Sequence, residues 1–504
     1  MRFAKSIFAV TLVVLSAMMA SAITVTVTLS PSSGPPAANL LLSAGGFPAS
    51  TAVDIYFDTT DVALAVTSAS GAFSGIPIKV PASAVPGTHW VTAVARGTTG
   101  KAAQAAFTVQ TNWPEFQYSP LRKGANPYEN VLSLTTVGSI DVDWFYTTGG
   151  AVMSSPAVVN GIVYFGSNDA NLYAVNASTG ALVWKYTTAN SITLSSPAVA
   201  NGVVYIGSSD DNVYAVNAGT GALVWKYTTG APINSSPAVV NGTMYIGSED
   251  ANVYALNAST GALVWKYTTG AAIYAASPAV ANGTVYISSE DANVYALNAS
   301  TGALRWKYTT GGEMAATPAF ANGEVYASST DGYTYALNAL RGTVLWQAGT
   351  ANYYGSAVAN GVVYENSNFG YVVALNQHTG AVLWTTTNGG FNDSSTVVAN
   401  GVVYVGNAVQ DGAVQAFDAK TGTLLWQYTT GSYVEATPTV VNGVVYAGSD
   451  DGNLYAFDLS GGSLAKTLKP PARPRPEMLQ PNLNLLPSKP QSSEQPTLPL
   501  PAEE

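Results

Sequence analysis

A single aspartate returns about once in every forty residues along most of this 504-residue chain: Asp169, Asp210, Asp250, Asp291, Asp331 and Asp450. Carboxylates that recur in register suggest calcium first, because that ion gathers six or more oxygens at one point. Each of these positions, however, occurs once per repeat, in a stretch with the composition of a tight hairpin turn. One carboxylate per distant unit cannot surround an ion, so a turn role is expected and no metal site. Asp331-Gly332, Asp411-Gly412 and Asp451-Gly452 carry the dipeptide of a type I′ hairpin.

Other reactive groups are scarce. The chain has two histidines and no cysteine. His89 falls in a strand pattern, and His378 takes the place of a serine in the turn Asn376-Gln377-His378-Thr379-Gly380. A nucleophile elbow, a zinc-ligand spacing and a phosphate loop are all missing from the sequence. No catalytic, cofactor-binding or metal-binding residue is therefore assigned, and no cofactor. The formal net charge of −10 repels phosphate backbones, which argues against nucleic acid as a partner.

The elements around these turns come from a repeat. Trp144, Trp184, Trp225, Trp265, Trp306, Trp346, Trp384 and Trp426 follow one another at intervals of 38 to 42 residues. A unit such as residues 154–188 holds four β-prone runs, SPAVV, GIVYFG, NLYAVN and ALVWKYT, separated by turn signals such as Asn160-Gly161. Four short strands in about forty residues is the period of a propeller blade. SPAV-like starts fall at Ser155, Ser196, Ser236, Ser277, Thr317, Ser356, Ser395 and Thr437, which predicts eight blades. The last unit lacks its Trp, while Trp144 has no inner strands before it. The run 139–147 is thus expected to be the outer strand of blade eight, closing the ring and removing an open edge.

Each full unit contains A-x-N/D-x-x-T-G-x-x-x-W, as in Ala174, Asn176, Thr179, Gly180 and Trp184, or Ala416, Asp418, Thr421, Gly422 and Trp426. The Asn or Asp and the Thr bond within the turn, the Gly supplies a crowded or left-handed backbone position, and the Trp wedges between blades. Burial of each Trp contributes about 4–6 kcal/mol as an upper bound. This motif resembles the tryptophan-docking motif of the pyrrolo-quinoline quinone (PQQ) dehydrogenase-like propellers. That group includes quinoprotein alcohol dehydrogenases and the propeller subunit of the outer-membrane β-barrel assembly machinery. Trp113-Pro114-Glu115-Phe116 and Lys123-Gly124-Ala125-Asn126-Pro127 are similar to the lead-in of such propellers. Departures are Arg341 and Gly461 at the Thr position, and the proline-free start Gly355-Ser356-Ala357.

The rest of the chain divides by composition. Residues 1–22 read as a signal peptide: a basic start, an apolar run and Ala20-Ser21-Ala22 as the cleavage site. With no cysteine at that boundary there is no lipid acceptor, and no later run is long and apolar enough to span a bilayer. Residues 23–110 alternate polar and apolar side chains between turn signals, the pattern of a β-sandwich. The stretches Val53-Asp54-Ile55-Tyr56-Phe57-Asp58 and Val85-Pro86-Gly87-Thr88-His89 resemble bacterial immunoglobulin-like domains. Residues 111–138 read as a lead-in linker, 139–465 as the propeller, and 466–504 as a Pro-rich disordered tail.

The fold expected is all-β: an eight-bladed propeller behind an immunoglobulin-like sandwich. A ligand site is sought where the near-copies stop being copies. Just before the SPAV start the chain reads Met153, Leu194, Asn234, Ala275, Ala315, Tyr354, Asp393 and Glu435. Neighbouring positions add Tyr274, Glu313, Tyr353, Phe391, Asn392 and Tyr433. Aromatic rings beside carboxylates suit sugars, peptides or cationic groups. The reading is an exported bacterial protein, in the periplasm, on the surface or outside the cell. It would act as a non-catalytic scaffold that binds a protein or glycan at the propeller mouth. The alternatives are a PQQ-dependent oxidoreductase, which the resemblance alone supports, and a periplasmic factor for outer-membrane protein assembly.

Overall fold

The computed structural model describes residues 24–97, 101–350, 354–390, 394–408, 412–459, 472–482, 484–485 and 487. The signal peptide at 1–22 lies outside them. Strands carry the ordered backbone, and no helix among the described residues is long and apolar enough to cross a membrane.

Near the N-terminus, Thr26–Ser30, Asn39–Gly45 and Phe73–Lys79 form one sheet. Ser33–Gly34, Ala102–Val109, Gly87–Ala95, Ala52–Phe57 and Thr60–Val66 form a second. Alternation along Asn39–Gly45 turns Leu40, Leu42 and Ala44 inward, where they meet Val53, Ile55 and Phe107 in one shared core. His89 is buried there, its Nδ1 2.7 Å from the Asp58 carboxylate and its Nε2 2.7 Å from the Val85 carbonyl. Burial by itself would lower its pKa, but these two partners hold it above the ordinary value. Both ring nitrogens are occupied, which makes it a packing residue.

Of the Pro-rich tail, residues 472–482, 484–485 and 487 are described. Its described part rests on this sandwich: the Arg473 guanidinium lies over the Trp90 ring, 4.3 Å from its centroid, and its Nε donates to Gln104 Oε1 at 2.6 Å. Gln104 Nε2 donates to the Pro474 carbonyl, and the Asn482 N–H to Asp61 Oδ2. Proline-rich chain cannot build a core of its own, but it offers carbonyls and a cation to a neighbouring sheet.

The remainder is a β-propeller. Among the described residues eight repeat sheets follow in order, each with four strands of the repeat. The first comprises Ala157–Val159, Ile162–Ser167, Asn171–Asn176 and Leu182–Thr187. The last takes Thr439–Val441, Val444–Gly448 and Asn453–Asp458 from the C-terminal end and Asp141–Thr147 from the N-terminal end. Thr147 pairs with Asn453 and Asp141 with Asp458, so chain segments over 300 residues apart share one sheet. Every inner hairpin turns on Asn-Gly with both residues left-handed, Asn160 at φ 51° and Gly161 at φ 76°, the type I′ geometry. The Asp-Gly turns differ. Gly332 and Gly452 have positive φ but Asp331 and Asp451 do not, so these are not type I′; Asp411 lies outside the described residues.

Tryptophan joins each sheet to the next. Trp184 Nε1 donates to the Ala218 carbonyl at 2.9 Å, and the Tyr164 hydroxyl donates to the same oxygen at 3.1 Å. Trp144, Trp225, Trp265, Trp306, Trp346 and Trp384 repeat the bond to Ala177, Ala258, Ala299, Ala339, Gln377 and Ala419. The motif glycine lies beneath the ring. Gly180 has φ +65° and a Cβ there would stand 2.7 Å from Trp144, so two separate constraints exclude a side chain. Asn176 Oδ1 caps the turn by accepting from Ser178 N–H, Thr179 N–H and Thr179 Oγ1. Arg341 keeps the backbone half of that cap, its N–H 3.0 Å from Asn338 Oδ1.

Candidate functional site

The innermost strands ring a channel whose wall is a belt of hydroxyls. The Ser155 N–H donates to Ser196 Oγ, Ser196 to Ser236, Ser236 to Ser277, and Ser277 to Thr317 Oγ1, at 2.9 to 3.0 Å. Gly355, Ser395 and Thr437 continue to Ser395, Thr437 and back to Ser155. At Gly355 the belt has no hydroxyl. This corrects the register read from sequence for the sixth repeat. Ala357 pairs with Tyr364 as Ala157 does with Tyr164, so Gly355, not Ser356, is the counterpart of Ser155. Tyr354 consequently stands where Ser154 does, and the counterpart of Met153 is Tyr353. A Cβ on Gly355 would lie 2.3 Å from Gln117 Nε2, so the missing side chain makes room for a group from elsewhere in the chain.

That group belongs to the lead-in, which is not the linker that its sequence suggests. It runs around the inner strands in repeat order, bonding to the middle residue of each. Trp113 exchanges both main-chain bonds with Val158, at 2.7 and 2.8 Å. Val199 N–H donates to the Pro114 carbonyl, and the Val239 backbone N–H to the Glu115 carboxylate. Val280, Phe320, Val358 and Val398 donate to the carbonyls of Pro120, Leu121, Lys123 and Gly124. Asn126 Nδ2 then donates to the Val440 carbonyl at 2.9 Å. Two prolines fit here because these positions only accept.

Arg122 anchors the circuit. Wholly buried, it donates to the carbonyls of Pro278, Phe116, Ser236 and Pro237 at 2.6 to 3.3 Å, and lies 3.5 Å from Glu115. Loss of water pushes Glu115 up to about 7 despite the cation beside it, and brings Arg122 down to about 10. Phe116 reaches the channel, which retains about 40 Å³, room for a few waters. One end is thus closed by the chain itself.

The other end carries the rim. Tyr274 and Tyr433 are 43% and 45% exposed, and Glu313 is exposed. Tyr354 and Glu435 line the channel beside Met153 and Leu194. Burial raises the Tyr274 hydroxyl's pKa, and so do the charges of Glu249, Glu435 and Glu290 around it. Burial and then the charges of Glu313 and Glu249 raise that of Glu290. Tyr353, Phe391, Asn392 and Asp393 lie outside the described residues. Sequence reading missed Glu249 and Glu290, which sit in the neighbouring turn, one residue before the repeating aspartate.

Those aspartates are structural. Asp169 Oδ2 accepts the Tyr173 hydroxyl at 2.6 Å and the Gly149 N–H at 2.8 Å, tying a turn to the preceding repeat. Burial would raise its pKa, but these donors hold it below the ordinary value. In the last repeat this role falls to Asp451, bonded to Tyr455 and Gly431, and not to Asp450. Among the described residues no cluster of His, Asp and Glu could hold a metal ion.

The sequence profile of the family described as outer membrane protein assembly factor BamB matches residues 90–276, 271–356 and 349–490. The chain belongs to this family. No curated protein matches it in sequence. Among solved structures, BamB from Moraxella catarrhalis superposes with a TM-score of 0.57 at 21% identity, over 63% of this chain and 99% of that one. A quinohemoprotein alcohol dehydrogenase from Comamonas testosteroni gives 0.61 at 17%, over 71% and 81%. The computationally designed Ika8 protein gives 0.56 at 19%, over 62% and 97%. At such identities the likeness is one of fold, shared across this BamB-like family and the quinoproteins.

Proposed function

We propose that this is an exported, non-catalytic binding protein. Its eight repeat sheets serve as the blades of one ring, and the open mouth takes a positively charged segment of a protein partner. The observation that carries this reading is the exposed Tyr274 set among Glu249, Glu290 and Glu435 at the one end that the lead-in leaves open. An aromatic face with carboxylates around it attracts ammonium and guanidinium groups through both the ring quadrupole and Coulomb forces. Membership in a family described as an assembly factor fits a protein partner. The N-terminal sandwich is read as an immunoglobulin-like spacer.

The channel residues do not fit pyrrolo-quinoline quinone. That group is a flat tricarboxylate, needing a slot and cations. The channel retains about 40 Å³ behind Phe116, and its described lining of Ser, Thr, Ala, Gly, Leu, Met, Phe, Tyr and one Glu has no Lys or Arg. The nearby carboxylates would repel it. Titrating the purified chain with the quinone and Ca²⁺, while following tryptophan fluorescence and dye reduction with alcohols, tests this part. Flat traces are expected; saturable binding with turnover would replace the proposal with a dehydrogenase.

A further inference from the structure

The repeat is its own control for finding a second site. In the first four repeats a threonine of the outer strand donates to an asparagine of the third strand. Thr187 donates to Asn171, Thr228 to Asn212, Thr268 to Asn252 and Thr309 to Asn293, at 2.5 to 2.6 Å. Along the same strand, Lys185 pairs across from Tyr173 and sits over its ring. At the seam between the fifth and sixth repeats all of this changes together. Tyr333 faces Gly349 where Asn faced Thr, and Tyr371 takes the next asparagine position. Phe369 replaces the repeating aspartate, and Thr385 the lysine.

These five substitutions line one cavity of about 510 Å³, within the range of small-ligand sites. Phe369 is 70% exposed, Tyr333 41% and Tyr371 42%. Among the described residues no Lys, Arg or Glu lines it. The Asp331 carboxylate in that lining already accepts from Tyr333 N–H, Gly311 N–H and the Tyr335 hydroxyl. The seam has thus lost a lysine, an aspartate and, at Val373, a tyrosine of the repeat, and gained three aromatic faces, with the hydroxyls of Thr385 and the tyrosines around them.

We propose that this groove binds a neutral saccharide, one sugar ring stacking its C–H face on Tyr333, Phe369 or Tyr371 while its hydroxyls bond to Thr385 and the tyrosines. Charge complementarity selects this occupant: the described lining offers no cation for a phosphate, the Asp331 carboxylate is already engaged by three donors, and flat rings beside hydroxyls match a pyranose. The cavity shares no lining residue with the mouth, and the inference rests on the reading of the chain as a binding protein only in the sense that it adds a ligand.

The test is an array of neutral hexose and N-acetylhexosamine oligomers probed with the full chain, followed by calorimetry on the best oligomer. Three variants accompany it: Tyr371→Ala, the double return to the repeat, Phe369→Asp with Tyr371→Asn, and Glu313→Gln at the mouth. The first four repeats already fold with Asp and Asn at these positions, so the double variant keeps the melting temperature. Binding that is indifferent to salt, falls about tenfold or more in both seam variants and survives Glu313→Gln supports the site. No neutral oligomer bound at millimolar concentration, equal binding by the seam variants, or binding only to peptides overturns it. Failure of the mouth proposal leaves these outcomes unchanged.

Discussion

The indole Nε1 of Trp426 donates to the carbonyl of Ile140 at 3.0 Å, across 286 residues of sequence. Every other docking tryptophan reaches the repeat that follows it; this one reaches the segment that precedes them all. On the far side of the same sheet, Trp144 donates to Ala177 at 3.1 Å and packs beside Tyr446. One N-terminal strand is therefore clamped from both sides, and the ring has no exposed edge at the junction.

Trp144→Ala should lower stability by about 3–5 kcal/mol, the usual loss for a large aromatic in a packed site. Removing residues 472–504 should leave the propeller's transition where it is and alter only the environment of Trp90. Thermal melts of the three proteins make the comparison. A Trp144→Ala protein as stable as the parent would mean that the strand is not what closes the ring.

Gly180 and Gly161 separate two costs. Both are left-handed, at φ +65° and +76°, but a Cβ on Gly161 meets nothing within 4 Å while one on Gly180 meets the Trp144 ring at 2.7 Å. Gly161→Ala should cost about 1–2 kcal/mol for backbone conformation alone. Gly180→Ala should cost at least about twice that, read by denaturant titration.

Much of this fold was legible because the repeat prints itself: the tryptophan spacing, the Asn-Gly turns and the two half-units at the ends follow from residue type alone. The lead-in was not, since its bonds to Val158, Val199, Val280 and Val398 are made by main-chain atoms that any sequence supplies. In the sixth repeat the register slipped because Ser356 stands beside Gly355, and a serine in either place satisfies the pattern. Asp450 and Asp451 posed the same ambiguity until the Tyr455 hydroxyl chose between them. The rim was sought through its divergence from the repeat; Glu249 and Glu290 hid next to the aspartates that had already been explained.

Gly355→Ser would complete the hydroxyl belt, yet it should destabilise by about 1–2 kcal/mol, because buried Gln117 occupies the space. Adding Gln117→Ala should recover most of that loss. A double-mutant cycle with no coupling would separate the lead-in from the belt.

Glu115 gives the chain a pH dependence. Its folded pKa, about 7, is raised from the ordinary value of 4.5 by burial, the largest effect, against the pull of Arg122. Between these values the folded chain holds a proton that the unfolded chain has released. The resulting stability is fully present below about pH 4.5 and is lost as pH rises through 7, by about 3 kcal/mol at most. Melting temperatures at pH 5 and pH 8 should show a fall that Glu115→Gln reduces; an equal fall in the variant would assign it to other groups.

The measurement closest to the central claim is fluorescence anisotropy of labelled lysine-rich and glutamate-rich peptides titrated with the purified chain, at low and at physiological salt. The parent should bind the basic peptide, less tightly as salt rises. The combined variant Glu249→Gln, Glu290→Gln, Glu313→Gln and Glu435→Gln should lose about tenfold or more in affinity, and the acidic peptide should not bind to either protein. No binding of the basic peptide, or equal binding by the parent and the neutralised rim, would contradict the account of the open mouth as the site of partner recognition.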